Sequence, residues 1–378
     1  MKYNSILSTI EPSASMKAGL GVNKSDYVNL AIGIPDIETP LEIKNVLTEI
    51  SKENNYNYIP TRGTKNALNN LIEVVLNNDV KITEENISLV SGAKFGVFLS
   101  LKTVTNPGDT VILVEPYWLS YPDICKILGL NIVVWKPKII NNNLIYDFDE
   151  LENIISSESP IGIIINQPNN PAGTNFKENE VSQITESFKK INGFVLFDEV
   201  YKDFMFYNNP IYDFDYSTII RVGSLSKSLS LTGLRVGYVV GNMEFISAFT
   251  LFNQHISTCT NSLSNAILER ITKPCFNKHI AILKDVYRQR YELLKDKLKD
   301  TELNLIESQG TFYALIDFSA FFNTGEAAVN FLRDELKTLT TSGSHYGKTF
   351  EKYVRICLSV DENCLSEFVN RLTDKLLK

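Results

Sequence analysis

Histidine is scarce in this sequence of 378 residues, which contains only His255, His279 and His345. No two of these histidines have the spacing of metal ligands, so we expect no metal site built on histidine. The five cysteines are odd in number and widely scattered. Their spacing fits neither a zinc site nor a disulfide framework, and it predicts reduced thiols in a cytoplasmic protein.

Long apolar runs and an excess of positive charge are also missing. No run approaches the roughly 18 apolar residues that a membrane helix needs, so we expect no membrane partner. The net charge of −7, from 37 basic and 44 acidic residues, disfavours nucleic acid as a partner. A nucleophile elbow of the G-x-S-x-G type is absent as well, which disfavours a serine hydrolase.

The remaining composition is that of a globular protein. Hydrophobic residues make up 44% of the chain and charged residues 21%, with 17 Tyr and 21 Phe to bury. At roughly 100–200 residues per domain, the length predicts about two domains.

Short apolar runs alternate with helix-length segments through the middle of the chain. Runs that are apolar on both faces indicate a mainly parallel sheet covered by helices on both faces, so the predicted fold class is α/β. The predicted strands are Ile87–Val90, Val111–Glu115, Ile132–Trp135, Ile161–Asn166, Phe194–Asp198, Ile219–Gly223 and Gly237–Val240.

The last third of the chain has a different pattern. A long amphipathic helix over Asn277–Lys299 is followed by strands at Phe312–Asp317 and Val354–Leu358, with a helix at Glu326–Leu336 between them. This order predicts a smaller α+β domain, which the N-terminal segment completes. We therefore expect a large cofactor-binding domain over residues 41–270 and a small domain from residues 1–40 and 271–378.

Polar motifs follow three of the predicted strands. Asn170 lies just after the first of these strands, Asp198 and Tyr201 at the end of the second, and Ser224, Ser226 and Lys227 after the third. Because ligand groups collect at the carboxyl ends of parallel strands, we expect these side chains to meet in one crevice.

The chemistry of these groups indicates what the crevice holds. A buried lysine such as Lys227 can form a Schiff base with an aldehyde, and a buried Asp198 calls for a cation such as a protonated pyridine nitrogen. Tyr201 and Asn170 can share a phenolate oxygen. Ser224, Ser226 and Arg235 can collect a phosphate, and the helix N-terminus after Ser91 can add backbone amides from Gly92, Ala93 and Lys94. Together these groups predict a site for pyridoxal 5′-phosphate.

With these residues in place, the sequence resembles a known family. It is similar to the class I/II aminotransferases, which are pyridoxal-phosphate enzymes of fold type I in the aspartate aminotransferase superfamily. Besides the residues above, the resemblance rests on ordered motifs along nearly the whole chain, namely Pro12–Ser15, Gly33–Asp36, Tyr58–Gly63, Ser91–Lys94, Glu115–Trp118, Tyr121–Pro122, Gly310–Tyr313 and Arg355–Ser359.

The resemblance implies roles for individual residues. Lys227 would be the Schiff-base lysine and proton shuttle, and Trp118 would stack on the cofactor ring. Arg355 would clamp the substrate α-carboxylate, with help from Asn170 and Gly33. Tyr58 would reach the phosphate of a neighbouring subunit, which implies a homodimer with shared active sites.

The implied activity is amino transfer from an L-amino acid to a 2-oxo acid with ping-pong kinetics. A carbon–sulfur lyase, or another eliminating or biosynthetic enzyme with the same cofactor, is the alternative, since a fold does not fix a reaction. The loop before Arg355, at residues 342–346, departs from the family pattern. The substrate side chain is therefore left open, with Arg62 as one possible second cation.

Overall fold

The computed structural model describes residues 1, 3–18, 26–53, 56–77, 79, 81–207 and 210–376. Parts of the predicted N-terminal segment, residues 2 and 19–25, lie outside the described residues.

A sheet of seven strands forms the centre of the molecule. Each predicted strand is present, and the ends differ from the predictions by one residue at most. Val236–Val240 runs antiparallel to both of its neighbours, whereas the other pairs are parallel. The order across the sheet is Ile87–Ser91, Val236–Val240, Ile219–Ser224, Phe194–Asp198, Gly162–Asn166, Thr110–Val114 and Asn131–Trp135.

Helices cover this sheet on both faces. Neighbouring residues of one strand point into different cores, since Ile164 packs in one cluster while Ile163 and Ile165 pack in another. This alternation is what a strand buried on both sides requires, so the predicted α/β class is confirmed. The helices are Ala14–Lys17, Leu41–Lys52, Lys65–Val74, Ala93–Val104, Tyr121–Leu128, Phe148–Glu158, Glu178–Lys190, Leu225–Ser228, Met243–Ile256, Ser262–Arg270, Lys273–Leu298, Gly325–Leu336 and Glu362–Leu376.

A second, antiparallel sheet lies in the C-terminal third. Its strands, in order, are Asn304–Leu305, Tyr313–Asp317, Tyr353–Cys357 and Thr341–Ser342. The helices Lys273–Leu298, Gly325–Leu336 and Glu362–Leu376 share a core with this sheet.

The N-terminal segment packs beside this second layer. Its short strand Val28–Asn29 pairs with Thr338–Leu339, and Leu30 belongs to the same core. The division into domains at residues 40 and 270 stays a prediction.

Two further findings concern the molecule as a whole. Within the described residues, no helix combines the length and the apolar character that crossing a membrane requires. In the same part of the chain, no three His, Cys, Asp or Glu side chains are grouped in a way that could hold a metal ion.

Candidate active site

A cavity of about 300 Å³ opens at the carboxyl ends of the three neighbouring strands Gly162–Asn166, Phe194–Asp198 and Ile219–Ser224. A larger hollow of about 710 Å³ lies elsewhere, but none of the predicted site residues lines it. The predicted site residues therefore meet at the smaller cavity. The predicted residues that line it are Gly33, Ala93, Lys94, Trp118, Asn170, Asp198, Tyr201, Ser224, Ser226, Lys227, Arg235 and Arg355.

Lys227 lies in the short helix Leu225–Ser228, directly after a central strand. The Ser224 side chain starts this helix by accepting a hydrogen bond from the Ser226 main-chain N–H at 3.0 Å. The Lys227 ammonium donates to the main-chain oxygen of Gly33. Burial lowers the pKa of Lys227 to about 8. A large share of this amine is therefore neutral near pH 8, which a nucleophile and proton acceptor needs.

Asp198 is the last residue of its strand and is buried. Its carboxylate accepts hydrogen bonds from the Tyr121 hydroxyl at 2.6 Å and from the Val200 main-chain N–H at 3.1 Å. Burial raises the pKa of Asp198 to about 6, because neutral donors only partly replace water around a charge. Among the described residues no cation pairs with this carboxylate. A cation supplied by a ligand would therefore pair with it.

Arg355 is the corresponding buried positive charge, with only 2% of its surface exposed. Its guanidinium donates to Asn170 Oδ1 at 3.2 Å, to Thr341 Oγ1 at 3.4 Å and to the main-chain oxygen of Ala31. Its Nε has no hydrogen-bond partner, and no carboxylate pairs with it in the part of the chain that the structure describes. An anionic ligand would supply the missing counter-charge.

Asn170 and Tyr201 lie between these two charges. The Asn170 main-chain N–H donates to Asn166 Oδ1 at 2.7 Å, which fixes the turn after the strand. The Tyr201 hydroxyl lies 3.2 Å from the hydroxyl of Tyr313. Polar groups from the central sheet and from the C-terminal sheet thus meet inside the cavity.

The residues predicted to bind phosphate lie around the N-terminus of the helix Ala93–Val104. Gly92 precedes this helix with a φ of +84°, and a Cβ there would overlap the guanidinium of Arg235. The Ser226 hydroxyl is buried and has no partner among the described residues. The Ser224 hydroxyl already donates to the Val236 main-chain oxygen at 2.6 Å. Ser226, Arg235 and the helix N-terminus therefore remain available to an anion.

Lys94 projects a further cation into the cavity. Its ammonium lies over the Trp118 ring, 4.8 Å from the ring centre. Burial and the nearby charge of Arg235 lower the pKa of Lys94. Lys94 and Arg235 are thus two neighbouring cations of this cavity, which favours the binding of anions.

Three residues singled out in the sequence do not line the cavity within this chain. Tyr58 is 88% exposed. Arg62 donates to the main-chain oxygens of Ile87, at 3.2 Å, and Glu84. Gly92 does not line the cavity either, but it makes room for Arg235. Arg62 is thus held by backbone groups and does not supply a second cation to this site.

Sequence reasoning missed Tyr121, Tyr313 and Asn166 as functional residues. Tyr121 is bonded to Asp198, while Tyr313 and Asn166 line the cavity. Tyr121 and Tyr313 both belong to motifs noted in the sequence, but the motifs alone did not reveal where their hydroxyls point. Asn166 ends a predicted strand, so its position at a strand end was the available signal.

The chain is similar to known proteins over nearly its whole length. The family model described as aminotransferase class I and II matches residues 25–372. An aspartate aminotransferase of Pyrococcus horikoshii is 27% identical over 357 residues, which cover 93% of this chain and 91% of that protein. A probable aspartate/prephenate aminotransferase of Aquifex aeolicus is 26% identical over 363 residues, with 93% and 91% covered. The solved structure of Thermus thermophilus aspartate aminotransferase with maleate superposes with a TM-score of 0.91 at 22% identity, covering 99% of both chains.

Proposed function

This chain belongs to the class I and II aminotransferases, and from that premise we propose that the cavity between Lys227, Asp198 and Arg355 is its active site. The protein is a pyridoxal-phosphate-dependent aminotransferase that moves an amino group from an amino acid to a 2-oxo acid. The eliminating alternative is not favoured, because these relatives are aminotransferases by name. The observation that carries the placement is a buried amine and a buried, unpaired carboxylate lining one cavity.

The residues present fit the cofactor. The unpaired Asp198 matches a protonated ring nitrogen, and the unpartnered Ser226 hydroxyl with Arg235 matches a phosphate. When bound, the cofactor supplies an aldehyde that links to amines and a ring that withdraws electrons from the substrate Cα. Trp118 covers the cavity from the side and would support the ring, with Tyr201 and Asn170 at its hydroxyl.

We propose that Lys227 is both the attachment point and the base. Its amine can remove the proton from the substrate Cα, because burial brings its pKa to about 8. Its contact with the Gly33 main-chain oxygen places the amine beside the Arg355 end of the cavity. The same amine would hold that proton and return it to the carbon that had been the aldehyde carbon, and water would then release the 2-oxo acid, which ends one half of a ping-pong cycle.

The substrate would be held by its carboxylates. Arg355 is buried, has no counter-anion among the described residues and keeps an unpartnered Nε, so its planar guanidinium suits the α-carboxylate. The ammonium of Lys94 would then face a second carboxylate of the substrate. The main-chain N–H of Lys94 would contribute to the phosphate site. We therefore propose a dicarboxylic amino acid as the donor, in keeping with the names of the aspartate aminotransferase relatives.

Mixing the holoenzyme with single amino acids, without a 2-oxo acid, tests this function. We expect aspartate or glutamate to convert the cofactor stoichiometrically to its amino form, without release of ammonia. The conversion is seen as a loss of the near-visible absorption. Arg355→Lys should raise the half-saturating concentration of every amino acid about 100-fold, because lysine cannot form the two parallel bonds. Lys94→Ala should raise it about tenfold for dicarboxylic donors only.

The matched control is Arg333→Lys, on the exposed face of the helix Gly325–Leu336, which should change nothing. Ammonia and pyruvate release in place of stoichiometric conversion would contradict amino transfer. If Lys94→Ala weakens alanine and aspartate equally, the proposed second-carboxylate role is wrong.

We further propose that the enzyme is a homodimer in the cytoplasm. Tyr58 is 88% exposed in the single chain, although an aromatic ring gains free energy from burial. The helix Met243–Ile256 likewise exposes Met243, Leu251, Phe252 and Ile256.

The cytoplasmic location rests on the five free cysteines.

We expect sedimentation equilibrium to give the mass of two chains. Tyr58→Phe should weaken cofactor retention without dissociating the dimer, because only the hydroxyl that would reach the partner's phosphate is lost. A monomer that retains full activity would contradict this proposal.

A further inference from the structure

Tyr313 contacts Tyr201 and Arg355, the side chains proposed above to bind the cofactor and the substrate. It is the first residue of the strand Tyr313–Asp317 and lines the cavity. Its hydroxyl lies 3.2 Å from that of Tyr201, and the Arg355 guanidinium lies over its ring, 4.5 Å from the ring centre. One side chain thus connects the hydroxyl proposed to face the cofactor ring with the arginine proposed to hold the substrate.

The surroundings leave the Tyr313 hydroxyl little freedom. A Cβ at position 33 would overlap the hydroxyl, so any larger residue there would displace the Tyr313 ring. The same Gly33 accepts the hydrogen bond of Lys227 through its main-chain oxygen. The ring of Tyr313 packs at 4.8 Å from that of Phe312, and the residue is 3% exposed. The hydroxyl is therefore held in one place by packing.

The direction of the hydrogen bond between the two hydroxyls follows from the proposed function. If the Tyr201 hydroxyl donates its hydrogen bond to the ring oxygen of the cofactor, its oxygen is free to accept a hydrogen bond from another donor. Tyr313 is placed to be that donor. Burial raises the pKa of both tyrosines, so both keep their protons for donation.

We propose that Tyr313 is a positioning residue, which strengthens the hydrogen bond that Tyr201 donates to the cofactor and holds the Arg355 guanidinium against its ring. This inference rests on the function proposed above. Donation to the ring oxygen stabilises the anionic oxygen most when the neighbouring Schiff-base nitrogen has lost its proton. Tyr313 therefore lowers the pKa of that nitrogen, acting through Tyr201.

Other charged and titratable groups face this pair and must be kept constant in a test. They come from four elements, namely Asp198 at the end of its strand, Tyr121 at the start of its helix, Lys227 in the short helix, and Arg355 and Cys357 on the strand Tyr353–Cys357. None of them is altered by a change of Tyr313 to phenylalanine.

The test is a pH titration of the near-visible absorption of the holoenzyme, which reports the Schiff-base nitrogen without turnover. Tyr313→Phe should raise its pKa by about one unit. In a Tyr201→Phe background the same change should add almost nothing, because the route through Tyr201 is already lost. An unchanged pKa in Tyr313→Phe, or shifts of the two variants that add, would overturn the proposal.

Tyr346 offers a matched control for loss of a hydroxyl. Its ring also lies under Arg355, at 5.3 Å, and it is fully buried, but its hydroxyl does not bond to Tyr201. Tyr346→Phe should therefore leave the titration unchanged, and a shift equal to that of Tyr313→Phe would contradict a specific effect. If the wild-type protein shows no such band, or Lys227→Ala retains it, the proposed function itself fails instead.

The ring of Tyr313 has a separate readout. Binding of succinate, a dicarboxylate without an amino group, is followed by its effect on the same absorption. Tyr313→Phe keeps the ring and should bind succinate like the wild type, whereas Tyr313→Leu should bind it about tenfold more weakly. Equal binding by the two variants would contradict the support of Arg355 by this ring.

Discussion

Replacing Lys227 by alanine will lower turnover by about 10⁴-fold, the upper range for the loss of a positioned acid–base group. The amine is buried at the end of a central strand, with its pKa lowered to about 8, whereas the ammonium of Lys94, which also lines the cavity, lies over the Trp118 ring. The measurement is the steady-state rate with aspartate and a 2-oxo acid, at saturating cofactor. The absorption of the protein-linked cofactor should disappear in the same variant.

A surface lysine provides the control for this substitution. Lys299 is paired with Asp296 on the exposed end of a long helix, and its side chain is 59% exposed. Lys299→Ala should leave both turnover and absorption unchanged. Retention of more than a few per cent of wild-type turnover by Lys227→Ala would refute the assignment of the base.

Changing Asp198 to asparagine should have opposite effects on catalysis and on stability. Removing one member of a buried ion pair costs about 3–5 kcal/mol, so turnover should fall about 10³-fold once the ring nitrogen has lost its partner. Without cofactor, however, the same carboxylate is a buried charge whose pKa is raised to about 6 from 3.8. The folded protein then binds this proton more tightly than the unfolded chain does.

The sign of the stability effect follows from this difference. The contribution of Asp198 is fully present below pH 4 and is lost as the pH rises through 6, at a cost of about 3 kcal/mol. Cofactor-free Asp198→Asn should therefore be more stable than the wild type at pH 8, with the difference shrinking toward pH 4. Urea unfolding of both proteins at several pH values measures it.

Asp215 provides a control with the opposite trend. Its hydrogen bonds with Lys189 and Ser217 lower its pKa to about 2, so its contribution to stability is present above pH 4. Asp215→Asn should reduce stability at pH 8 and leave turnover unchanged. If Asp198→Asn and Asp215→Asn respond to pH alike, the buried carboxylate does not carry the cost assigned to it.

The central sheet was predictable because its strands are buried on both faces. A run such as Gly162–Asn166 has no polar face that would interrupt its apolar pattern, and turn residues mark both of its ends. The hairpin Pro137–Ile140 and Asn143–Tyr146 was not predicted. It is half exposed, and its turn depends on positive φ angles at Asn141 and Asn142, which composition does not reveal.

One predicted helix boundary was wrong, and its physical reason can be identified. The helix expected from Asn277 begins at Lys273, where Thr272 accepts a hydrogen bond from the Cys275 main-chain N–H at 3.4 Å. In the sequence, Pro274 suggests that a helix does not extend across this position. Pro274 lies in the first turn of the observed helix, however, and the first turn is where a helix tolerates proline.

The candidate site could be predicted where chemistry follows a strand end. Asn170, Asp198 and Lys227 were recognised because three buried strands deliver them to one edge of the sheet. Tyr313 was not assigned a role, because it comes from a separate sheet whose placement over the cavity depends on tertiary packing. The direction of Arg62 was also open in the sequence, since a long side chain can turn toward several neighbours.

We expect the buried carboxylate of Asp198 also to connect the supply of vitamin B6 to the amount of enzyme in a cell. Newly made chains that lack the vitamin derivative carry this cost at neutral pH, and a larger share of them is unfolded at any moment. Proteases remove unfolded chains, so a vitamin-starved cell should hold less of the protein even when synthesis is unchanged.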